Sequence, residues 1–424
     1  MKFEKIWNER LNETVWYAKH SSGLPILVVP KKGYASQYAI FGTRYGSIDN
    51  HFRVNGKEIT VPEGIAHFLE HKLFESEDGD AFSRYARTGA SANAYTSFDR
   101  TCYLFSSTEN FKESFEILLD FVQHPYFTEQ TVQKEQGIIG QEIKMYEDDP
   151  SWRVMFNLLG ALYHKHPVKI DIAGTTESIS HITADLLYEC YHAFYNLHNM
   201  VLCVAGNVDP DMVAKSADKL LKDTPHNGVE SLFETEPAGI VRSRVEQKLS
   251  VSVPLFNIGF KDIPASGKEA ASKEVATEIL LEVLCGSASP LYRTLYDQGL
   301  INTSFGTEYF DGRSFASVLI GGESRDPDAV MDALYKEIDR LQRDGIDEKA
   351  FTRIKKAYYG RIAGGFDRVD GIANAVAGLH FLGMGPFDLV EAAANVTKND
   401  VEKRLRDCLC RENAALSVIL PITQ

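Results

Sequence analysis

One local pattern occurs twice in this chain, 214 residues apart. Thr183 opens a predicted helix, and the apolar run Val201-Leu202-Cys203-Val204 begins 18 residues after it. Thr397 opens another, and Ala415-Leu416-Ser417-Val418 begins at the same spacing of 18. Phe127-Thr128-Glu129 and Gly345-Ile346-Asp347 likewise each open an amphipathic helix, at an offset of 218. A repeat this long restricts the architecture to two copies of one α+β unit of about 200 residues, each an antiparallel sheet packed against helices. Residues 222–245 carry Pro225, Gly228, Pro237 and Gly239 among acidic and polar residues, the composition of a linker. The expected division is therefore 1–221, linker 222–245, and 246–424.

Within the first half, Leu24 to Pro30 and Gln37 to Arg44 read as strands. A helix is expected from about Pro62 to Phe74, then paired strands over Ser91 to Phe98 and Thr101 to Ser107. Gln130 to Tyr146 reads as a helix that stops at Asp148-Asp149-Pro150. His164 and His166 read as a loop or helix end. The 45 basic and 59 acidic residues give a net charge of -14 with no long basic cluster, which argues against nucleic acid. No apolar run approaches the ~18 residues of a membrane helix, so no membrane span is expected. Six cysteines without a C-x-x-C pair suit a reducing compartment, and a cytoplasmic location is expected.

The sharpest chemical signal is His67-Phe68-Leu69-Glu70-His71. Histidines at i and i+4 share one helical face, so both imidazoles can reach one metal ion. Glu70, at i+3 from His67, shares that face and can approach a water on the metal. The pattern is H-x-x-E-H, the inverted zincin motif. Two histidines do not complete a catalytic zinc site, which needs a third protein ligand. Glu135 and Glu142 lie seven residues apart on the next long helix, on one face, with Val132, Ile138, Ile139 and Ile143 around them. They supply a third ligand, or they are a solvated acidic face.

Gly64 to His71, then Asn93-Ala94-Tyr95-Thr96-Ser97, then Gly140-Gln141-Glu142, resemble the pitrilysin-like inverzincins, in particular the shorter subunits related to mitochondrial processing peptidase. Glu142 to Tyr146 and Tyr163 to Pro167 resemble the YmfH-like bacterial zinc peptidases among them. The resemblance spans essentially the whole chain. It implies two homologous halves forming half of a clamshell. It implies one Zn2+ per chain held by His67, His71 and Glu142, with Glu70 as general base and Glu135 supporting the site from behind a ligand. It implies that Asn93, Ala94 and Tyr95 lie on an edge strand that pairs with an extended peptide. The implied activity is zinc-dependent endoproteolysis of peptides or unfolded segments.

The chain departs from the family in its second half. Active members carry an Arg and a Tyr seven residues apart that contact substrate or stabilise the oxyanion. Here Tyr296 holds the Arg position, and the Tyr position falls near Ile301 or Asn302. Arg293 with Tyr309 is a displaced substitute to consider. Ile279 to Val283 matches His67 to His71 without histidines, and Arg361 lies near the position of Glu142. These departures imply a homologous partner subunit that lacks zinc and completes the site, as a heterodimer, or alternatively a homodimer. The rival reading is a noncatalytic structural or chaperone-like peptide-binding subunit.

Overall fold

The structure is a computed structural model that describes residues 1–77 and 79–422. Two compact units emerge. The first comprises Met1–Ile143, Asp171–Phe233 and Ala363–Phe381; the second comprises Lys144–Ile170, Glu234–Ile362 and Leu382–Gln424.

The first unit contains a seven-stranded sheet built from β1 (Glu4–Asn8), β2 (Glu13–Lys19), β3 (Pro25–Pro30), β4 (Gln37–Thr43), β5 (Ser91–Thr96), β6 (Thr101–Ser107) and β7 (Met200–Gly206). Its order is β1-β2-β3-β7-β4-β6-β5. The strand β7 is buried at every position, as its unbroken apolar run requires of a central strand. The second unit contains β8 (Arg244–Leu249), β9 (Leu255–Asp262), β10 (Gly306–Asp311), β11 (Ala316–Glu323) and β12 (Ala414–Pro421), in the order β8-β12-β9-β11-β10.

The two sheets share one topology. In the first, β7 runs parallel to β3 and antiparallel to β4. In the second, β12 runs parallel to β8 and antiparallel to β9. The remaining pairs of both five-strand cores are antiparallel. Thr183 and Thr397 are each the N-cap of the helix they precede, with side chains accepting from Leu186 and Asp400 backbone N–H. The repeat is thus an α+β unit in duplicate, antiparallel apart from one parallel pair per sheet.

Each sheet is covered on one face by a helix from the other half of the chain. Val369–Phe381 packs on β3, β4 and β7, and Pro150–Leu162 packs on β8, β9 and β12. A glycine makes room in both cases. A Cβ at Gly42 on β4 would lie 3.0 Å from the Phe381 ring, and one at Gly259 on β9 would lie 2.8 Å from Leu162. The segment Asp148-Asp149-Pro150 ends one helix and starts this next one. Asp149 accepts from the Ser151 and Trp152 N–H groups, and Pro150 sits in the first turn.

Residues 222–245 are not free of structure. Glu230–Ser231 pairs with the short strand His51–Val54 in the first unit. In the second unit the Glu236 carboxylate accepts from the backbone N–H groups of His164, Lys165 and His166 at 2.8, 2.7 and 2.8 Å. It also accepts from Lys261 Nζ at 2.6 Å. Burial disfavours its charge, but Lys261 and the three N–H donors outweigh this and hold the carboxyl at about 2. A carboxyl depressed on folding contributes stability above its unfolded value and loses it as pH falls toward the folded one. Glu236→Gln therefore lowers stability at pH 7 by about 2–3 kcal/mol. The deficit shrinks between about pH 4.5 and pH 2. Urea unfolding at several pH values checks this; a pH-independent deficit would contradict it.

No single helix among the described residues is long and apolar enough to cross a membrane.

Candidate metal centre

The site is built from two helices and the outer strand of the first sheet. The helix α1 (Ile65–Leu73) lies against β5 and β6, burying Ile65, Ala66, Phe68, Leu69 and Leu73. It begins three residues after Pro62. Gly64 precedes it at φ +85°, and a Cβ there would lie 2.3 Å from the Ala173 carbonyl oxygen. Only glycine suits that corner, so the helix starts after it.

The helix α2 (Glu129–Glu147) presents Glu135 and Glu142 to α1. Val132, Ile139 and Ile143 anchor it in the core, whereas Ile138 is 48% exposed and takes no part in that packing. His71 Nδ1 lies 3.0 Å from Glu135 Oε1. An ionised Glu135 accepts from Nδ1–H, which leaves the lone pair of His71 on Nε2. His67 Nε2 lies 3.7 Å from Glu142 Oε1, and His71 Nε2 lies 3.7 Å from Glu142 Oε2.

One donor atom from each of His67, His71 and Glu142 falls within 4.8 Å of the others. The 3.7 Å separations exceed ordinary hydrogen bonds. They approach the spacing of about 3.3 Å between ligands of one tetrahedral zinc with bonds of 2.0–2.1 Å. The buried Nδ1 of His67 has no hydrogen-bond partner. Burial, and then the neighbouring His71, hold His67 down at about 3, so its imidazole is neutral at pH 7 with a lone pair to offer. One imidazole nitrogen from each histidine and a carboxylate oxygen are the donor types that fit a zinc ion.

Electrostatics divides the remaining groups. Burial pulls His71 down, but the Glu135 hydrogen bond and the surrounding carboxylates raise it above the ordinary histidine value. Burial raises Glu135, and the His71 bond outweighs it, leaving that carboxyl below its usual range. Glu70 is raised, chiefly by burial, against the opposing hydrogen bond from Thr96 and the charge of His71. Its Oε2 accepts from Thr96 Oγ1 at 2.6 Å.

Asn93, Ala94 and Tyr95 lie on β5, the outermost strand beyond β6. Asn93 is exposed, and its Oδ1 accepts from the Ala94 N–H at 2.9 Å. Tyr95 donates its hydroxyl to Asn374 Oδ1 at 3.1 Å, and Asn374 donates to the Tyr38 hydroxyl at 3.0 Å. Sequence reasoning missed Thr96 and Asn374. Thr96 sits inside the Asn93 to Ser97 motif, whereas nothing in the sequence points to Asn374.

In the second unit, Ile279, Leu280, Leu281 and Val283 are buried core residues. Arg361 pairs with Glu278 at 3.5 Å. Tyr296 is half-exposed and stacked on Tyr292 at 5.8 Å. Arg293 is exposed, and the Tyr309 hydroxyl donates to Asp262 at 3.2 Å.

Comparison with known proteins accords with this geometry. The family model described as insulinase (peptidase family M16) matches residues 57–176, and that of the peptidase M16 inactive domain matches residues 181–358. The chain is 42% identical to the Bacillus subtilis protein named uncharacterized zinc protease YmfH, covering 97% of this chain and 98% of the relative. A second B. subtilis protein, named uncharacterized zinc protease YmxG, is 28% identical over 72% of this chain and 76% of the relative. An M16-like peptidase structure from Alicyclobacillus acidocaldarius is similar at a TM-score of 0.93 and 35% identity, covering 100% of this chain and 99% of that one. Pitrilysin, at 17% identity and a TM-score of 0.75, shares the fold, with the match covering 98% of this chain and 46% of pitrilysin. The chain therefore belongs to peptidase family M16.

Proposed function

We propose that this chain is the metal-bearing subunit of a zinc metalloendopeptidase acting on peptides or unfolded segments. The observation that carries this reading is the convergence of His67, His71 and Glu142 within 4.8 Å, with Glu70 one residue before His71 on the same helix. The ligands would be His67, His71 and Glu142, holding one zinc ion per chain. Bound there, zinc supplies Lewis acidity toward the scissile carbonyl and acidifies water.

The chain's own groups do the rest. The free edge of β5 receives an extended peptide through main-chain hydrogen bonds near Asn93 to Tyr95. The Glu70 carboxylate takes a proton from the attacking water and returns it to the leaving nitrogen. Glu135 holds His71 by Nδ1 and so keeps Nε2 available. Glu135→Gln is expected to weaken zinc affinity about 10–100-fold, read by competition with a chromophoric chelator. Unchanged affinity would remove Glu135 from this role.

The oxyanion needs donors beyond the metal. With Tyr296 at the expected Arg position and the Tyr309 hydroxyl directed to Asp262, we assign those donors to a homologous partner subunit. A reducing cytoplasm suits the six free thiols. The test is peptide cleavage by the zinc-loaded chain alone and with a homologous chain that lacks the histidine motif. Cleavage that rises strongly with the homologue supports a partner-completed site. Robust cleavage by the chain alone refutes the need for a heterologous partner. No cleavage in either mixture, despite bound zinc, favours a noncatalytic peptide-binding subunit.

A further inference from the structure

We infer that Thr96 is a positioning residue that fixes the Glu70 carboxylate relative to the peptide-pairing strand. The inference rests on the peptidase reading, which makes Glu70 the base and β5 the peptide-pairing strand. Thr96 ends β5, directly after Asn93, Ala94 and Tyr95. Alternation along the strand places Thr96 opposite in direction to Tyr95, toward α1. Its hydroxyl donates to Glu70 Oε2 at 2.6 Å, and its backbone also bonds Glu70.

An ionised carboxylate only accepts, which fixes the direction of that bond, and a second threonine packs behind it. Thr101, paired with Thr96 across the ladder, is fully buried. Its Oγ1 lies 3.3 Å from Thr96 Oγ1 and donates to the Tyr45 carbonyl oxygen at 2.8 Å. A hydroxyl has one proton. The Thr101 proton is committed to Tyr45, and an ionised Glu70 can only accept, so the 2.6 Å contact takes the Thr96 proton. Tyr45 is itself fully buried, with its ring stacked on Phe194 at 4.1 Å. The hydroxyl that holds the base therefore packs against a fully buried threonine of the sheet.

The consequence is geometric. The Thr96 hydroxyl engages Oε2 and so sets the orientation in which the Glu70 carboxylate takes the proton. The strand that receives the peptide also aims the base, so peptide and base share one frame. Placement errors of about 1 Å at a reacting group cost on the order of 100-fold in rate.

Thr96→Val removes the hydroxyl and keeps the shape; Thr96→Ser keeps the hydroxyl. In the subunit assembled with its partner, Val lowers kcat about 10–100-fold with KM nearly unchanged, and Ser restores most of it. Zinc content and melting temperature stay at wild-type values in both. Crystals of the metal-free variants supply an independent readout. The Glu70 carboxylate keeps its orientation in Ser and shifts or splits in Val. Wild-type kcat in Val, or an unmoved Glu70 in Val, overturns the inference. Should wild type show no Glu70-dependent cleavage, the peptidase reading falls, and the position of Glu70 in the Val and Ser crystals alone decides the role of Thr96.

Discussion

Glu70→Gln yields a folded, zinc-loaded subunit whose peptide cleavage falls by about 100- to 10,000-fold. The reasoning starts from what Gln preserves. Its amide oxygen can still accept from Thr96 Oγ1, which lies 2.6 Å from Glu70 Oε2. Its volume is that of Glu, so α1 keeps its packing on the sheet. Glu70 stands outside the three-donor group, so the metal keeps its ligands. What Gln lacks is a basic oxygen. Burial already opposes the charge of Glu70, so removing that charge does not lower the melting temperature. Product masses and kcat/KM, measured beside the zinc content of each preparation, separate loss of chemistry from loss of metal. A Gln variant that retained more than about a tenth of wild-type activity would exclude Glu70 as the general base.

The half of the site on α1 was legible because helical geometry is local. Residues at i, i+3 and i+4 share a face wherever the helix sits. The same rule placed Glu135 and Glu142 on one face of α2. It did not divide their work, because that division depends on how α2 crosses α1. Packing directs Glu142 at both Nε2 atoms and Glu135 at Nδ1 of His71. Ile138 shows the same limit, since it belongs to an apolar sequence pattern yet ends half-exposed.

The duplicated topology was legible from Thr183 and Thr397, whose capping role is also local. The exchange of covering helices was not. Apolar periodicity in Pro150–Leu162 and Val369–Phe381 shows that each has a face to bury, but carries no address for the sheet that buries it. The start of α1 was misplaced for a related reason. Pro62 suits a first helical turn, but the close approach of Gly64 to Ala173 fixes the actual corner. Asn374 reaches Tyr95 only through the exchanged helix, so it had no sequence signal at all.

Removing one donor should abolish stoichiometric metal binding. His67→Ala and Glu142→Ala are expected to reduce bound zinc from about one equivalent to near zero after dialysis, because loss of a direct ligand costs more than the 10–100-fold lost with an outer partner, on the order of 1,000-fold. Glu282→Ala, at the second unit's counterpart of Glu70, leaves zinc unchanged, because Ile279 and Val283 at the counterparts of the two histidines offer no donor. Thermal melts connect this loss to the fold. A ligand that binds only the native state stabilises it by about 4 kcal/mol at a thousand times its Kd, so a chelator lowers the wild-type midpoint. The same chelator has no effect on His67→Ala, and the two midpoints converge in its presence. That convergence separates lost metal from lost structure. Full zinc content in both ligand variants would mean that the ion is held elsewhere. Zinc retained in Glu142→Ala but lost in His67→Ala would mean that the third ligand is a different carboxylate, for which Glu135, 3.0 Å from His71, is the candidate already in reach.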